Sequence, residues 1–125
     1  MAEQVSAKLT VLSGAGIDTK GAYVEAMDPT NFKCNWMEIS LTPVGTIANA
    51  KVNVDVAVGA DGVEVDKIIE FPFRDNSGGQ FNNQGAYHSI SLPFEFASGV
   101  RLSVRCCDPN GNAISYTITI RILSY

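Results

Sequence analysis

The sequence predicts an all-β domain, an antiparallel two-sheet β-sandwich, jelly-roll-like, of about eight strands. Three observations carry that prediction. From Ala50 to Val58, valines stand at 52, 54, 56 and 58 with Lys51, Asn53, Asp55 and Ala57 between them, a period of two that sends alternate side chains to opposite faces of a strand. The C-terminal stretch repeats it: Ile114, Tyr116, Ile118, Ile120 and Ile122 alternate with Ser115, Thr117, Thr119, Arg121 and Leu123. Apolar runs elsewhere are short and broken at regular spacing by Gly, Pro, Asn and Asp, and no segment has a helical period.

Lys8–Leu12 is the first strand, stopped at Ser13-Gly14-Ala15-Gly16, where two glycines tolerate positive φ. Gly21–Met27 is the second, with Ala22, Val24 and Ala26 on one face and Tyr23, Glu25 and Met27 on the other, ended by Asp28-Pro29. Asn35–Leu41 carries the only tryptophan, Trp36, and Pro43 then removes a ladder donor. Ala50–Val58 and Val63–Phe71 are read as antiparallel neighbours joined by Gly59-Ala60-Asp61-Gly62. The broken alternation around Asp66-Lys67 marks a bulge in the second of them. Tyr87–Phe94 and Val100–Cys107 follow, separated by Ala97-Ser98-Gly99, and Asp108-Pro109-Asn110-Gly111-Asn112 turns the chain into the last strand, Ala113–Leu123. The valine strand, richest in buried apolar surface, belongs at the centre of a sheet.

At 125 residues the chain reads as one domain, 1–125, with residues 1–7 as an N-terminal arm. Hydrophobic content of 46% and charge of 18% are globular values, and no apolar run reaches the roughly 20 residues that span a bilayer. The N-terminus has no signal-peptide pattern, so a cytoplasm is the expected site of synthesis. The net charge is −4 and the nine basic residues are scattered, which disfavours nucleic acid as a partner. Cys34, Cys106 and Cys107 are an odd number without Cys-x-x-Cys spacing and are read as free thiols; in a strand, 106 and 107 point to opposite faces.

Candidate chemistry is sparse. His88 is the single histidine, which excludes a multi-histidine metal site, and no glycine-flanked nucleophile turn accompanies it. Asp55, Glu64 and Asp66 can approach across the hairpin with Asp61 at its turn, but Asp55 lies on the alternating polar side of the valine strand and reads as a solvated charge. The loop of Asp61 lacks the further oxygen ligands that calcium takes. No catalytic residue, metal or cofactor is therefore assigned, and the chain is expected to bind or build. Arg101 and Arg105 share a strand face with Ser103 and pair with carboxylates, either inside the domain or across a subunit contact. A polar, glycine-rich stretch from Asp75 to Ala86 breaks the strand rhythm. It is either a surface excursion or a loop that orders against a partner, in which case Asn76, Gln80, Phe81, Asn82 and Asn83 are the contact residues and Phe81 the anchor.

Thr19–Met27 and Leu92–Arg105, with the strand-turn element Val54–Glu64 between them, resemble small β-rich virion structural proteins of tailed bacteriophages. The similarity runs from about residue 19 to residue 105; the 75–86 loop and the Cys106-Cys107 pair have no counterpart in that pattern. What the resemblance implies is a capsid decoration, or cement, protein located on the virion surface. It would be a homotrimer, with the major capsid protein as partner and no membrane involved. A receptor- or carbohydrate-binding module of a head or tail fibre is the alternative, and a small β-sandwich hydrolase a third reading. Neither resemblance nor chemistry supplies a catalytic residue.

Overall fold

A computed structural model describes residues 1–43, 47–48, 51–74, 80–81, 88–111 and 115–125. Its strands, in chain order, are β1 (Ala2–Val5), β2 (Leu9–Leu12), β3 (Val24–Met27), β4 (Cys34–Pro43), β5 (Ile47–Ala48), β6 (Lys51–Val58), β7 (Val65–Arg74), β8 (Gln80–Phe81), β9 (His88–Phe96), β10 (Leu102–Cys107) and β11 (Ser115–Ser124). There is no helix among the described residues. Two antiparallel sheets form the sandwich: a five-stranded sheet in the order β1-β11-β4-β9, with β2 also on β11, and a four-stranded sheet in the order β3-β10-β6-β7. The two-residue strands β5 and β8 pair separately.

Alternation is why these segments stack. On β11, Tyr116, Ile118, Ile120 and Ile122 are buried while Ser115, Thr117, Thr119 and Arg121 are half-exposed. Met37, Ile39 and Leu41 of β4 and Val52, Val54 and Val56 of β6 are fully buried, and these inward rows make one contiguous core. Each buried valine contributes roughly 1.5–3 kcal/mol before chain entropy is subtracted. The valine strand does lie inside its sheet, between β10 and β7, and the hairpin through Gly59–Gly62 is antiparallel as expected. Val58, at the strand end, is only half-buried.

The strand bounds shift where pairing, not composition, decides them. Residues 2–5 form β1, and β1 and β2 lie one after the other along the same edge of β11, against Arg121–Ser124 and Ser115–Ile118. Between them, Ser6 donates its N–H to Ile120 O at 2.8 Å and accepts Ile120 N–H on Oγ at 2.9 Å, so the ladder continues across the break. Regular pairing on β10 begins at Val24, and a register shift between Leu102 and Ser103 turns Met27 into the core instead of outward. Upstream, Gly21 donates to Cys106 O at 2.9 Å while passing so close to β2 that a Cβ there would sit 1.7 Å from Leu12 O; only glycine fits. The irregularity expected near Asp66-Lys67 is a double one. Pairing steps from Val54–Phe71 to Val56–Ile68 to Ala57–Asp66, so Ile69 and Glu70 together oppose Asp55 and Lys67 is inserted further on. Glu70 takes φ of 52° there.

Candidate functional site

The outer face of the four-stranded sheet is closed by its own side chains. Asp55, expected in solvent, has a side chain 2% exposed, which corrects the sequence reading. Asp55 does point away from the core valines, as its alternation with them implies, but the outward side of β6 is roofed. Lys20 Nζ lies 2.8 Å from Asp55 Oδ2, Arg105 Nε 2.9 Å from the same oxygen, and the bulged Glu70 N–H donates to Oδ1 at 2.7 Å. Arg105 Nη2 continues to Asp66 Oδ2 at 2.6 Å, Tyr23 OH donates to Asp66 Oδ1 at 2.6 Å, and the guanidinium lies 4.3 Å from the centre of the Tyr23 ring. Two cations and two carboxylates balance.

Electrostatics follow from that geometry. Burial pushes the Asp55 carboxyl up, but hydrogen bonds from Lys20, the Glu70 amide and Arg105 outweigh it and hold the carboxyl below its ordinary value. The bond to Asp55 raises Lys20. Tyr23 is pushed up to about 12, first by burial and then by its bond to Asp66. A second set lies alongside: Arg101 Nε is 3.1 Å from Glu25 Oε1 and Nη1 donates to Gly59 O at 3.3 Å. Both arginines thus pair with carboxylates inside the domain. Pairing this complete suits a structural clamp better than acid–base chemistry.

The outer face of the five-stranded sheet is built differently. Trp36, Glu38 and Ser40 alternate with the buried Met37, Ile39 and Leu41, and each stands in register with neighbours on β11 and β9. Arg121, Glu38 and Ser91 form one row, Thr119, Ser40 and Ser89 the next. Trp36 is half-buried; its Nε1 donates to Ser91 Oγ, and the Tyr125 ring meets it edge-on at 85° with centroids 6.4 Å apart. The indole orientation is therefore fixed on two sides. Ser40 and Ser89 hydroxyls share a 2.9 Å hydrogen bond, and Arg121 bridges Glu38, at 3.0 Å, and Glu3, at 2.5 Å. This face offers an oriented aromatic ring amid hydroxyls and one charged triad.

An open cleft of about 570 Å³ at one end of the sandwich is lined by Glu25, Asp28, Gly59, Asp61, Gly99 and Arg101. No group of three or more His, Cys, Asp or Glu suited to a metal ion occurs among the described residues. Val63, Val65 and Ile69, along and just before the edge strand β7, are 67%, 55% and 63% exposed.

Of the residues expected to touch a partner, Gln80 and Phe81 form β8, opposite Ala48 and Ile47. Asn76, Asn82 and Asn83 lie outside the described residues. His88 is the first residue of β9, paired with Leu41. Asp61 lines the end cleft, apart from the Asp55–Asp66 clamp. All three cysteines are free and buried, with Cys106 in the core and Cys107 on the opposite side of β10. Trp36 and Tyr125 are far apart in the sequence, which does not by itself bring the Trp36 face together. Its signal was the alternation of Trp36, Glu38 and Ser40 with apolar residues, but which exposed rows adjoin it depends on the β4–β9 and β4–β11 registers.

No protein-family model matches the chain, and no curated protein matches it. Among solved structures, it is similar to a family 35 carbohydrate-binding module from Paenibacillus barcinonensis, at 13% identity and a TM-score of 0.51 over 100% of both chains. It is also similar to a family 35 carbohydrate binding module from Clostridium thermocellum, at 10% identity and a TM-score of 0.46, covering 98% of this chain and 92% of that one. A Mud Crab Dicistrovirus chain matches at 9% identity and a TM-score of 0.47, over 97% of this chain and 74% of that one. Likeness at such identities is one of architecture, and the first of these matches supports the jelly-roll form of the two-sheet sandwich described above.

Proposed function

We propose that this chain is a non-enzymatic recognition module of a virus particle that binds a glycan on the outer face of its five-stranded sheet. The observation that carries the reading is the inequality of the two outer faces. One is sealed by the Lys20–Asp55–Arg105–Asp66 clamp; the other presents Trp36, held by Ser91 and Tyr125, beside Ser40, Ser89, Glu38 and Arg121. An aromatic ring fixed in orientation with a few polar groups beside it suits a ligand that is apolar on its faces and hydroxylated at its rim. One structural neighbour, similar in fold, is a carbohydrate-binding module, which is compatible with this reading but does not carry it. The virion setting rests on the resemblance of Thr19–Met27 and Leu92–Arg105.

The test is a glycan array probed with the purified protein, followed by calorimetry on any hit. Loss of an aromatic anchor costs more than about 1.4 kcal/mol, so Trp36→Ala should weaken binding by roughly tenfold or more. Equal binding by wild type and variant would remove the site from this face.

Capsid decoration is the second reading, and the exposed Val63, Val65 and Ile69 favour it, because exposed apolar side chains along an edge strand suit contact with another subunit. Under that reading the protein saturates expanded shells at a fixed copy number, and Val65→Asp abolishes the binding while Trp36→Ala does not.

A further inference from the structure

We infer that the ligand of the Trp36 face is a neutral or amine-bearing glycan, and that the face discriminates against uronate, sialylated or phosphorylated polymers. The inference rests on the glycan reading above and specifies its chemistry. Arg121 is the cation in the row beside Trp36, and it is already taken. Nη1 is 3.0 Å from Glu38 Oε2 and Nη2 is 2.5 Å from Glu3 Oε2, so two carboxylates surround one guanidinium and the triad carries a net charge of −1. A ligand carboxylate or phosphate arriving here meets that negative balance, and it could bind Arg121 only by displacing a carboxylate already in place. Beyond Trp36 lies a second ion pair, Lys33 Nζ to Glu95 Oε1 at 2.7 Å, in which the cation is likewise matched by a carboxylate, and the groups beside Arg121 are hydroxyls: Ser40 and Ser89, hydrogen-bonded to each other at 2.9 Å, Ser91, and Thr119 in register with Ser40. Hydroxyls both donate and accept, which matches sugar hydroxyls and gives an anion no compensating charge. The chain's overall charge of −4 works in the same direction at longer range.

The experiment compares three oligosaccharides of equal length by calorimetry at low salt: a neutral hexose oligomer, a hexosamine oligomer with free amines, and an oligouronate. Binding of either of the first two at least roughly tenfold tighter than the uronate is expected from one like-charge contact. The double variant Glu3→Gln, Glu38→Gln, isosteric at partly exposed positions, should narrow that gap while circular dichroism stays unchanged. Should the wild type bind the oligouronate as tightly as the others, with Trp36→Ala still abolishing binding, the charge inference is overturned and the glycan reading stands. If none of the three binds, and the array finds no other glycan, the glycan reading itself fails and the inference falls with it.

Discussion

Asp55 and Arg105 face each other in register across β6 and β10, and Arg105 Nε donates to Asp55 Oδ2 at 2.9 Å. The side-chain bond therefore repeats, on the outward side, a connection the backbone ladder already makes. Its effect reaches beyond those two strands: Lys20 joins from the segment leading into β3, Glu70 N–H and Asp66 join from β7, and Tyr23 closes over the guanidinium. Three strands of the sheet, β6, β10 and β7, and the segment leading into β3 are thus tied around Asp55 and Arg105.

Replacing Asp55 with Asn keeps the shape and removes the charge. Lys20 and Arg105 are then left facing a neutral amide in a closed site. Breaking a buried pair by removing one partner costs about 3 kcal/mol, which a shift in the urea midpoint at unchanged slope would register. A loss under about 0.5 kcal/mol would mean that the clamp is no stronger than a surface ion pair.

The same carboxylate sets an acid limit. Its folded value lies below the unfolded value of about 3.9, so the unfolded chain binds the proton more tightly. The stabilisation from Asp55 is full above the unfolded value and is lost as pH falls through the folded one. Thermal melts from pH 7 down to 2 should show the midpoint falling below about pH 4, with a shallower fall in Asp55→Asn. Parallel curves for the two proteins would assign the acid sensitivity elsewhere.

Ser6 lies where β1 gives way to β2, and its Oγ accepts Ile120 N–H at 2.9 Å. Ser6→Ala leaves that amide unpaired at a cost of about 1 kcal/mol. Hydrogen exchange at Ile120 should accelerate with little change at Ile39 or Val54. A uniform acceleration over the whole sheet would indicate global destabilisation instead.

All three thiols are expected to be silent in the folded protein. Cys34, Cys106 and Cys107 are at most 1% exposed, and burial pushes each thiol up, Cys106 to about 12, which suppresses the reactive thiolate at neutral pH. A disulfide-exchange reagent should titrate no thiol at pH 7.5 and all of them in denaturant. Stoichiometric labelling of the folded protein would show that β10 or β4 opens locally.

Period-two patterning made the inward rows legible. Val52, Val54 and Val56, and Tyr116 through Ile122, lie as their spacing implies, because a core-facing row needs nothing from the rest of the chain to declare itself. Outward rows were legible only as outward. Whether Asp55 meets water depends on Lys20, 35 positions earlier, and on the φ of 52° that Glu70 adopts in its bulge, neither of which alternation encodes. The broken pattern at Asp66-Lys67 announced an irregularity without its size. The strand at Ala2–Val5 carries no alternating signature, since its four residues are exposed or nearly so, and it forms because β11 has a free edge to offer. The Trp36 surface required two registers at once.

β11 pairs with β1, β2 and β4, and it is synthesised after all of them. During translation the first two strands emerge with no edge to join and wait through roughly a hundred residues for the one that will hold them. The five-stranded sheet therefore cannot zip progressively behind the ribosome; its assembly is a late, long-range closure, of the kind that slows folding in proteins dominated by non-local pairing. Until then the edge of β4 that β11 takes is unpaired, so the nascent chain is most vulnerable to sticking before Ser115–Ser124 has emerged.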